Sequence, residues 1–237
     1  MYLRSVELMS DKIEQPGEYP FSIPSIHSMG RLAFSNNVTF FVGENGSGKS
    51  TLLEGIAHQC EFNTAGGGRN NVFETHASES SLGDYLRLAW LPKMANGFFL
   101  RSESFYQFAS HVDQMPESLR YYGGRSLHKQ SHGESFLNLF INRFSSKGIY
   151  LLDEPEAALS PARQLSLLRI IHDLSSTSQF IIATHSPILL GYPGANILSF
   201  DDGHIHEMLY EDTDHYQITR SFLENRDRML HELFRDD

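Results

Sequence analysis

The chain has 237 residues, with 19 lysines and arginines against 29 aspartates and glutamates, and a formal net charge of −10. Apolar residues make up 40% of the chain and charged residues 20%, proportions that exclude disordered, collagen-like and coiled-coil proteins and allow a sizeable buried core. The single cysteine, Cys60, excludes an intrachain disulfide and a multi-cysteine zinc site, and it favours a reducing, cytoplasmic compartment.

The acidic charge is concentrated near the C-terminus. Residues 201–237 hold 4 basic and 11 acidic side chains, whereas residues 1–200 hold 15 and 18. Because the first 200 residues are nearly balanced, the net charge does not exclude nucleic-acid binding by that part of the chain.

The first 37 residues or so predict an antiparallel β part, because prolines and glycines separate short segments without a good helical pattern. Further along, continuous apolar runs alternate with helical patterns, as in a parallel sheet covered by helices on both faces. These runs are Val38–Val42, Gly97–Leu100, Ile149–Leu152, Phe180–Ala183 and Ile197–Phe200.

The clearest helical pattern begins at Ser160, with Pro161 at the first helical position. Its apolar side is predicted to consist of residues three apart, namely Leu165, Leu168, Ile171 and Leu174. Between residues 62 and 147 the pattern is weakest, and we predict a helical or variable part there. We therefore predict a single α/β domain over residues 1–237 with a largely parallel sheet.

Neither the N-terminus nor the longest uncharged stretch indicates a membrane segment. The N-terminus has no basic region followed by an apolar core, so it does not read as a secretory signal. Residues 180–200 contain no Asp, Glu, Lys or Arg, yet prolines and glycines interrupt them. A spanning helix needs about 20 predominantly apolar residues, so we interpret this stretch as two buried strands and expect no direct membrane insertion.

A strand, a glycine-rich turn and a helix predict a phosphate-binding loop. Val38–Val42 leads into the letters GENGSGKS, which fit G-x-x-x-x-G-K-[ST]. The glycines let successive amides curl around a triphosphate, and the following helix adds the positive end of its dipole. Lys49 is expected to reach the β- and γ-phosphates of ATP and to be a catalytic residue, and Ser50 is expected to bind Mg²⁺. The predicted ATP-binding residues are Gly43, Glu44, Asn45, Gly46, Ser47, Gly48, Lys49, Ser50 and Thr51.

Two adjacent carboxylates, Asp153 and Glu154, follow the apolar run Ile149–Leu152. In a phosphate-loop ATPase the first carboxylate holds Mg²⁺, directly or through water, and the second orients and deprotonates the attacking water. A solvated acidic loop is the alternative interpretation, and the presence of the phosphate loop disfavours it. We predict that Asp153 binds the metal and that Glu154 is catalytic.

Three further segments, one before and two after Asp153 and Glu154, appear in the order found in ABC-type ATPases. The chain closely resembles that family. Ser131–Glu134 resembles the signature motif, Ala158–Ser160 stands where the family has its D-loop, and Ala183–Pro187 contains a candidate switch histidine, His185. The chain is similar to small stand-alone soluble bacterial ATPases on the RecF/SMC-like side of this superfamily. Only 81 positions separate Ser50 from the signature, which leaves no room for a long coiled coil.

The resemblance implies a P-loop fold with an N-terminal antiparallel β subdomain and a helical subdomain before the signature. It also implies a homodimer around ATP, in which Ser131 and Gly133 face the γ-phosphate bound by the opposite subunit. His185 would hydrogen-bond the γ-phosphate and the attacking water. The signature departs from the family pattern at Glu134, where a second glycine is usual, and the D-loop ends in Ser160 instead of aspartate.

The resemblance implies two further roles, a glutamine loop and a contact with adenine, and no aromatic residue is clearly placed for the second. Phe98–Glu103 occupies the stretch of the family's glutamine loop, which makes Glu103 a candidate link between Mg²⁺ and the helical part. Tyr2 and Tyr19 are candidates for stacking on adenine, although a core position is the more common role for a tyrosine.

We predict Mg²⁺-dependent ATP binding and hydrolysis by a cytoplasmic homodimer. The process that ATP drives stays open between work on DNA in a repair or defence complex, a nucleotide-gated module that regulates a partner protein, and, third, the motor of a transporter. A basic cluster before the signature allows contact with nucleic acid, a partner protein or the partner subunit's nucleotide, and a solvated loop is the alternative. Its members are Arg120, Arg125, His128 and Lys129.

Overall fold

Within the residues that the computed structural model describes, two β-sheets organise the chain. These residues are 1–64, 66–69, 81–113, 132–144 and 147–235.

The larger sheet has six strands and is parallel except at one edge. Its strands, in spatial order, are β5 (Gly97–Arg101), β6 (Ile149–Asp153), β7 (Gln179–Ala183), β3 (Val38–Val42), β8 (Asn196–Ser199) and β9 (His206–Glu207). Only the β8–β9 pair is antiparallel. Every residue of β3, β6 and β7 is buried, because both faces of the sheet are covered. The α/β fold with a largely parallel sheet is thereby confirmed.

The smaller sheet is antiparallel and confirms the β subdomain expected at the N-terminus. It consists of β1 (Leu3–Leu8), β2 (Arg31–Ala33) and β4 (Leu86–Trp90), with β1 in the centre. Val6 of β1 lies opposite Leu32 on one side and Leu88 on the other. The third strand comes from the stretch 62–147, so this stretch contributes to both sheets as well as to helices.

Helices cover the larger sheet on both faces. The helices of the described residues are α1 (Pro24–His27), α2 (Lys49–Gln59), α3 (Phe105–Asp113), α4 (His132–Arg143), α5 (Pro161–Leu174), α6 (Pro187–Leu190), α7 (Asp214–Glu224) and α8 (Arg226–Leu233). On one face α2 and the antiparallel sheet form a core with Phe41 and Leu151. On the other face α3 to α6 pack against Phe40 and Leu152. No helix of the described residues is both long and apolar enough to cross a membrane.

The buried side of α5 differs from the one predicted. Leu165 is 59% exposed, whereas Gln164, Leu167 and Ile171 are buried against the sheet. The assignment of Leu165 to the apolar side was wrong, because the helix carries apolar residues on two neighbouring faces and the spacing of three omitted Leu167.

The last two helices are largely exposed. Neither α7 nor α8 has a fully buried side chain. Several of their large apolar residues are exposed, including Ile218, Leu223 and Leu233.

Candidate active site

The phosphate loop joins the carboxyl end of β3 to the first turn of α2. Its three glycines have positive φ angles, +135° at Gly43, +82° at Gly46 and +103° at Gly48. Side chains with a Cβ rarely adopt this region, so the glycines allow a turn that other residues would strain. The loop therefore has the curled backbone that the sequence motif predicted, with the helix beginning at Lys49.

Lys49 lies inside this curl and is only 4% exposed. Its ammonium group donates to the carbonyl oxygens of Gly43 at 2.6 Å and Glu44 at 2.9 Å. Burial lowers the pKa of Lys49, and the charges of Glu154, Asp201 and others oppose that change. The ammonium group is thus held beside the phosphate loop. A phosphate bound there would give the ammonium group a negatively charged hydrogen-bond partner.

Two residues that the sequence did not indicate hold the loop in place. The Asp201 carboxylate, just after β8, accepts a hydrogen bond from the Glu44 amide at 2.9 Å. The Ser25 hydroxyl, in α1, donates to the carbonyl oxygen of Ser47. Both contacts join segments distant in the chain, so no local pattern could have revealed them.

Ser50 and Asp153 meet at the carboxyl ends of β3 and β6. The Ser50 hydroxyl donates to Asp153 Oδ1 at 2.8 Å. Burial raises the pKa of Asp153 to about 7, although the Ser50 hydrogen bond and the Arg101 charge act in the opposite direction.

These two oxygen ligands fit Mg²⁺, which prefers hard oxygen donors and usually takes only one or two carboxylates together with phosphates and water. A buried carboxylate whose charge is poorly solvated is also the group that a cation would stabilise. No cluster of three or more His, Cys, Asp or Glu in the described residues could hold a metal by itself. Phosphate oxygens would therefore complete the coordination.

The charge of Glu103 acts on Asp153 and adds to the rise in the pKa of that carboxyl. Glu103 lies in a short 3-10 helix after β5, its side chain is 79% exposed, and it forms an ion pair with Arg101 at 3.3 Å. Arg101 also pairs with the buried Glu54 at 3.2 Å. The Glu103 carboxylate is thus paired with Arg101, the last residue of the preceding strand β5.

Glu154 has a left-handed backbone conformation, with φ +48° and ψ 52°. Such a conformation is unusual for a residue with a side chain and is most often found where function requires it. The Glu154 amide donates to the Ala183 carbonyl at 2.9 Å, and its carbonyl accepts from the Ser102 hydroxyl at 2.7 Å. These contacts turn the chain at the strand end, so that Asp153 and Glu154 need not point to opposite faces.

His185 follows β7 and lies beside Glu154, with 3.7 Å between His185 Nε2 and Glu154 Oε1. Its amide donates to Glu156 Oε1 at 2.6 Å. Its Nδ1 is 2.9 Å from Nε2 of His215, a residue from the C-terminal segment. Glu156 and His215 were not predicted as site residues. The letters DEPE made Glu156 visible as a carboxylate, but nothing in the sequence pointed to His215.

The signature region is described only in part. Ser131 and the basic cluster (Arg120, Arg125, His128 and Lys129) lie outside the described residues. Gly133 is buried in the first turn of α4, and the space a Cβ would need is taken by Arg163 and the Ala158 carbonyl. The glycine is therefore packed against the segment that corresponds to the D-loop.

The two tyrosines differ in position. Tyr2 donates its hydroxyl to the Thr177 carbonyl at 2.7 Å. Tyr19 is 59% exposed, and its hydroxyl lies 3.5 Å from Thr51 Oγ1 at the end of the phosphate loop. Only Tyr19 has an available ring beside the loop.

Two family models match the chain. Residues 123–191 match "AAA domain, putative AbiEii toxin, Type IV TA system", and residues 25–90 match "AAA domain". No curated protein matches the chain.

Solved structures similar to the chain include SMC head domains and an ATP-binding cassette. The SMC head bound to the C-terminal winged-helix domain of ScpA is 14% identical, with 89% of this chain and 99% of that one covered and a TM-score of 0.53. The SMC head domain from Thermotoga maritima is 18% identical, with 88% and 99% covered and a TM-score of 0.48. An ATP-binding cassette of an ABC transporter in its ADP conformation is 15% identical, with 99% and 100% covered and a TM-score of 0.48.

The first of these likenesses shows a shared fold, and the two family models match the segments that carry the phosphate loop and the acidic strand end. With the strand order and the loop geometry described above, they support a P-loop ATPase.

Proposed function

We propose that the chain is a Mg²⁺-dependent ATPase that binds ATP between the loop Gly43–Thr51 and the strand ends that carry Asp153, Glu154 and His185. The observation that carries the proposal is the meeting of these groups at one edge of the sheet, with Lys49 buried in the loop and Ser50 bonded to Asp153. Parallel strands β6, β7 and β3 are neighbours, so their carboxyl ends bring the three segments together.

Each group then has a role in hydrolysis. Lys49 and the loop amides bind the β- and γ-phosphates, and Ser50 and Asp153 would hold Mg²⁺, which when bound would neutralise charge on the phosphate oxygens. Glu154 takes a proton from the attacking water while the water oxygen forms a bond to the γ-phosphorus. The bond to the β–γ bridging oxygen breaks, and ADP and inorganic phosphate leave. His185 Nε2, beside Glu154, hydrogen-bonds the γ-phosphate.

We extend the proposal to a homodimer that closes around ATP. The signature segment and the D-loop segment are in contact through Gly133 and Ala158, so they would form one surface facing the nucleotide of the other subunit. Ser131 and Gly133 belong to that surface in the proposal. Glu103 keeps its proposed role near Mg²⁺ only if nucleotide binding displaces its ion pair with Arg101.

For the process driven by ATP we propose a defence or repair complex in the cytoplasm. The description of the family model over residues 123–191 names a toxin of a toxin–antitoxin system, which supports the defence side. A nucleotide-gated module for a partner protein is the second candidate, and the apolar side chains exposed on α7 and α8 favour it. A transporter motor is third, and nucleic acid remains a proposed ligand that salt-sensitive stimulation of turnover would reveal.

The test is Glu154→Gln, which keeps the size of the side chain and removes the base. We expect ATP affinity to be retained, kcat to fall at least about 100-fold, and a dimer to accumulate with ATP in light scattering. Glu232→Gln, on the exposed side of α8, is the matched control and should leave turnover unchanged. Full turnover by Glu154→Gln would refute the catalytic assignment.

The same variant separates the candidate processes. Purified from its native host in the presence of ATP, Glu154→Gln should retain whatever the ATP-bound form holds. Recovery of DNA with turnover that DNA stimulates supports the repair or defence proposal, whereas a stoichiometric protein with turnover indifferent to DNA supports the second candidate.

A further inference from the structure

His215 occupies a fixed position beside His185, although it comes from a segment 30 positions further along the chain. It lies in the first turn of α7, two residues after Thr213, which caps that helix. Thr213 is fully buried, accepts from the Tyr216 amide at 3.3 Å and donates to the Tyr210 carbonyl at 2.8 Å. The cap fixes the start of α7 and with it the backbone of His215.

The contact between the two histidines is a ring-to-ring hydrogen bond. His215 Nε2 lies 2.9 Å from His185 Nδ1, and the ring planes are inclined by 48°. The other ring nitrogen of His185, Nε2, is buried and has no hydrogen-bond partner among the described residues. It faces Glu154 Oε1 at 3.7 Å. One nitrogen of His185 is therefore held from outside the site, and the other is free for the reaction.

The position of the protons follows from these neighbours. In a hydrogen bond between two neutral imidazoles, one nitrogen donates and the other accepts. If His185 donated from Nδ1, its Nε2 lone pair would face the Glu154 carboxylate, and both atoms would be acceptors. If His215 donates from Nε2, His185 carries its proton on Nε2 and can donate toward Glu154 and a γ-phosphate.

The surroundings of His215 favour the neutral donor form. Burial lowers the pKa of His215, and the charges of His185 and Lys49 lower it further, while Asp201 and Asp214 act in the opposite direction. A neutral His215 donates from one nitrogen only, so the tautomer of one ring determines the tautomer of the other.

We propose that His215 is a positioning residue for ATP hydrolysis, which donates from Nε2 to His185 Nδ1 and thereby holds His185 in the orientation and tautomer that present an Nε2–H donor to the γ-phosphate. The inference rests on the proposed function, because it assigns a role to His185 within that site. It makes the start of α7 a part of the active site, although α7 contributes no residue to the phosphate loop.

Kinetics test the proposal with three variants of the full chain. His215→Ala should lower kcat roughly 10- to 100-fold, because the orienting partner of a catalytic histidine is lost, and leave the KM for ATP within about twofold. His215→Gln can donate from its amide nitrogen and should recover most of the lost kcat. His231→Ala, an exposed histidine of α8, is the control. Wild-type kcat in His215→Ala would overturn the proposal.

A double-mutant cycle separates positioning from a general structural role. In a His185→Ala background, His215→Ala should cause no further loss of kcat, because its effect acts through the missing ring. Equal losses in both backgrounds would show that His215 stabilises the fold or the site independently of His185, and would overturn the proposal.

A measurement on the unmutated protein keeps the proposal testable if a variant fails to fold. Nitrogen NMR of histidine-labelled wild-type protein should show His185 protonated at Nε2 and bare at Nδ1, with its signals assigned by their absence in His185→Gln. The opposite tautomer would overturn the proposal. Failure of the proposed function is distinguishable, because it would appear as unchanged turnover in Glu154→Gln whatever the tautomer of His185.

Discussion

The two halves of the nucleotide site are built in different ways. The phosphate loop is one contiguous segment, and three positive φ angles and the buried Lys49 define its shape. The opposite half is assembled from Asp153 at the end of β6, Glu154 directly after it, His185 after β7, and His215 at the start of α7. The contiguous half depends mainly on local conformation, whereas the assembled half depends on contacts between distant segments.

This difference predicts separate effects of mutation. Changes in the loop should alter ATP affinity, because the loop also binds the β-phosphate, which stays in the nucleotide before and after the γ-phosphate is released. Changes in the assembled half should alter kcat, because Glu154 and His185 act on the water and the γ-phosphate as the bond breaks. The predictions that follow test this separation.

The largest effect is expected for Lys49→Ala. The ammonium group would make charge-assisted hydrogen bonds to phosphate oxygens worth about 3 kcal/mol in total, so ATP affinity should fall about 100-fold. Loss of its two bonds to the Gly43 and Glu44 carbonyls would also loosen the loop. Calorimetric titration with ATP measures the change, and Lys12→Ala, an exposed lysine, is the control. Affinity within threefold of wild type would contradict the assignment of the loop.

Glu156→Ala tests the assembled half at a position that touches His185 through its backbone. Glu156 Oε1 accepts from the His185 amide at 2.6 Å, so its removal should let the histidine shift and lower kcat about tenfold with little change in KM. Glu156→Gln keeps an acceptor oxygen and should retain most of the activity. A rise in the KM for ATP without a change in kcat would show that the two halves are not separable.

Glu156 also carries a pH prediction for stability. Burial raises the pKa of Glu156 above its ordinary value of 4.5, although the hydrogen bond from the His185 amide acts in the opposite direction. The folded state then binds this proton more tightly than the unfolded state, so its contribution to stability is lost as pH rises from 4.5 through the folded pKa. The free energy of unfolding of Glu156→Gln minus that of wild type should therefore be more positive at pH 8 than at pH 4.5. Denaturant unfolding at the two pH values measures this difference. A difference independent of pH would contradict the raised pKa.

The sequence predicted those parts of the fold that depend on short segments. Continuous apolar runs such as Val38–Val42 and Ile149–Leu152 became buried parallel strands, because both faces of the sheet are covered. The strand β4 was not predicted, since its burial alternates and Arg87 interrupts the apolar residues. That alternation is the pattern of a half-buried antiparallel strand and could have revealed it.

The candidate site shows the same division. The loop residues could be proposed from their order alone, because the glycine conformations and the helix start are local properties. The contacts of Asp201 with Glu44 and of His215 with His185 join residues 157 and 30 positions apart. No periodicity or spacing encodes such contacts, so only the packed structure could reveal them. Glu103 illustrates the converse, since its position matched a motif while its side chain pairs with Arg101.

The smallest effect is expected for Tyr19, at the outer end of the loop half. Its ring is 59% exposed beside Thr51, on the side of the loop where the base of a bound nucleotide would extend. Stacking of a base on an aromatic ring is worth about 1–3 kcal/mol, and partial exposure places Tyr19 at the low end, so Tyr19→Ala should raise the KM for ATP about fivefold. Tyr19→Phe keeps the ring and should retain the wild-type KM, and Tyr106→Ala, on α3, is an exposed-tyrosine control.

Steady-state kinetics with ATP decide the outcome for Tyr19, because the base takes no part in breaking the γ-phosphate bond. A raised KM with unchanged kcat would place Tyr19 in the half of the site that binds ATP throughout the reaction. A lowered kcat would mean that base binding also orders Glu154 or His185, and the division into a binding half and a reacting half would then be wrong.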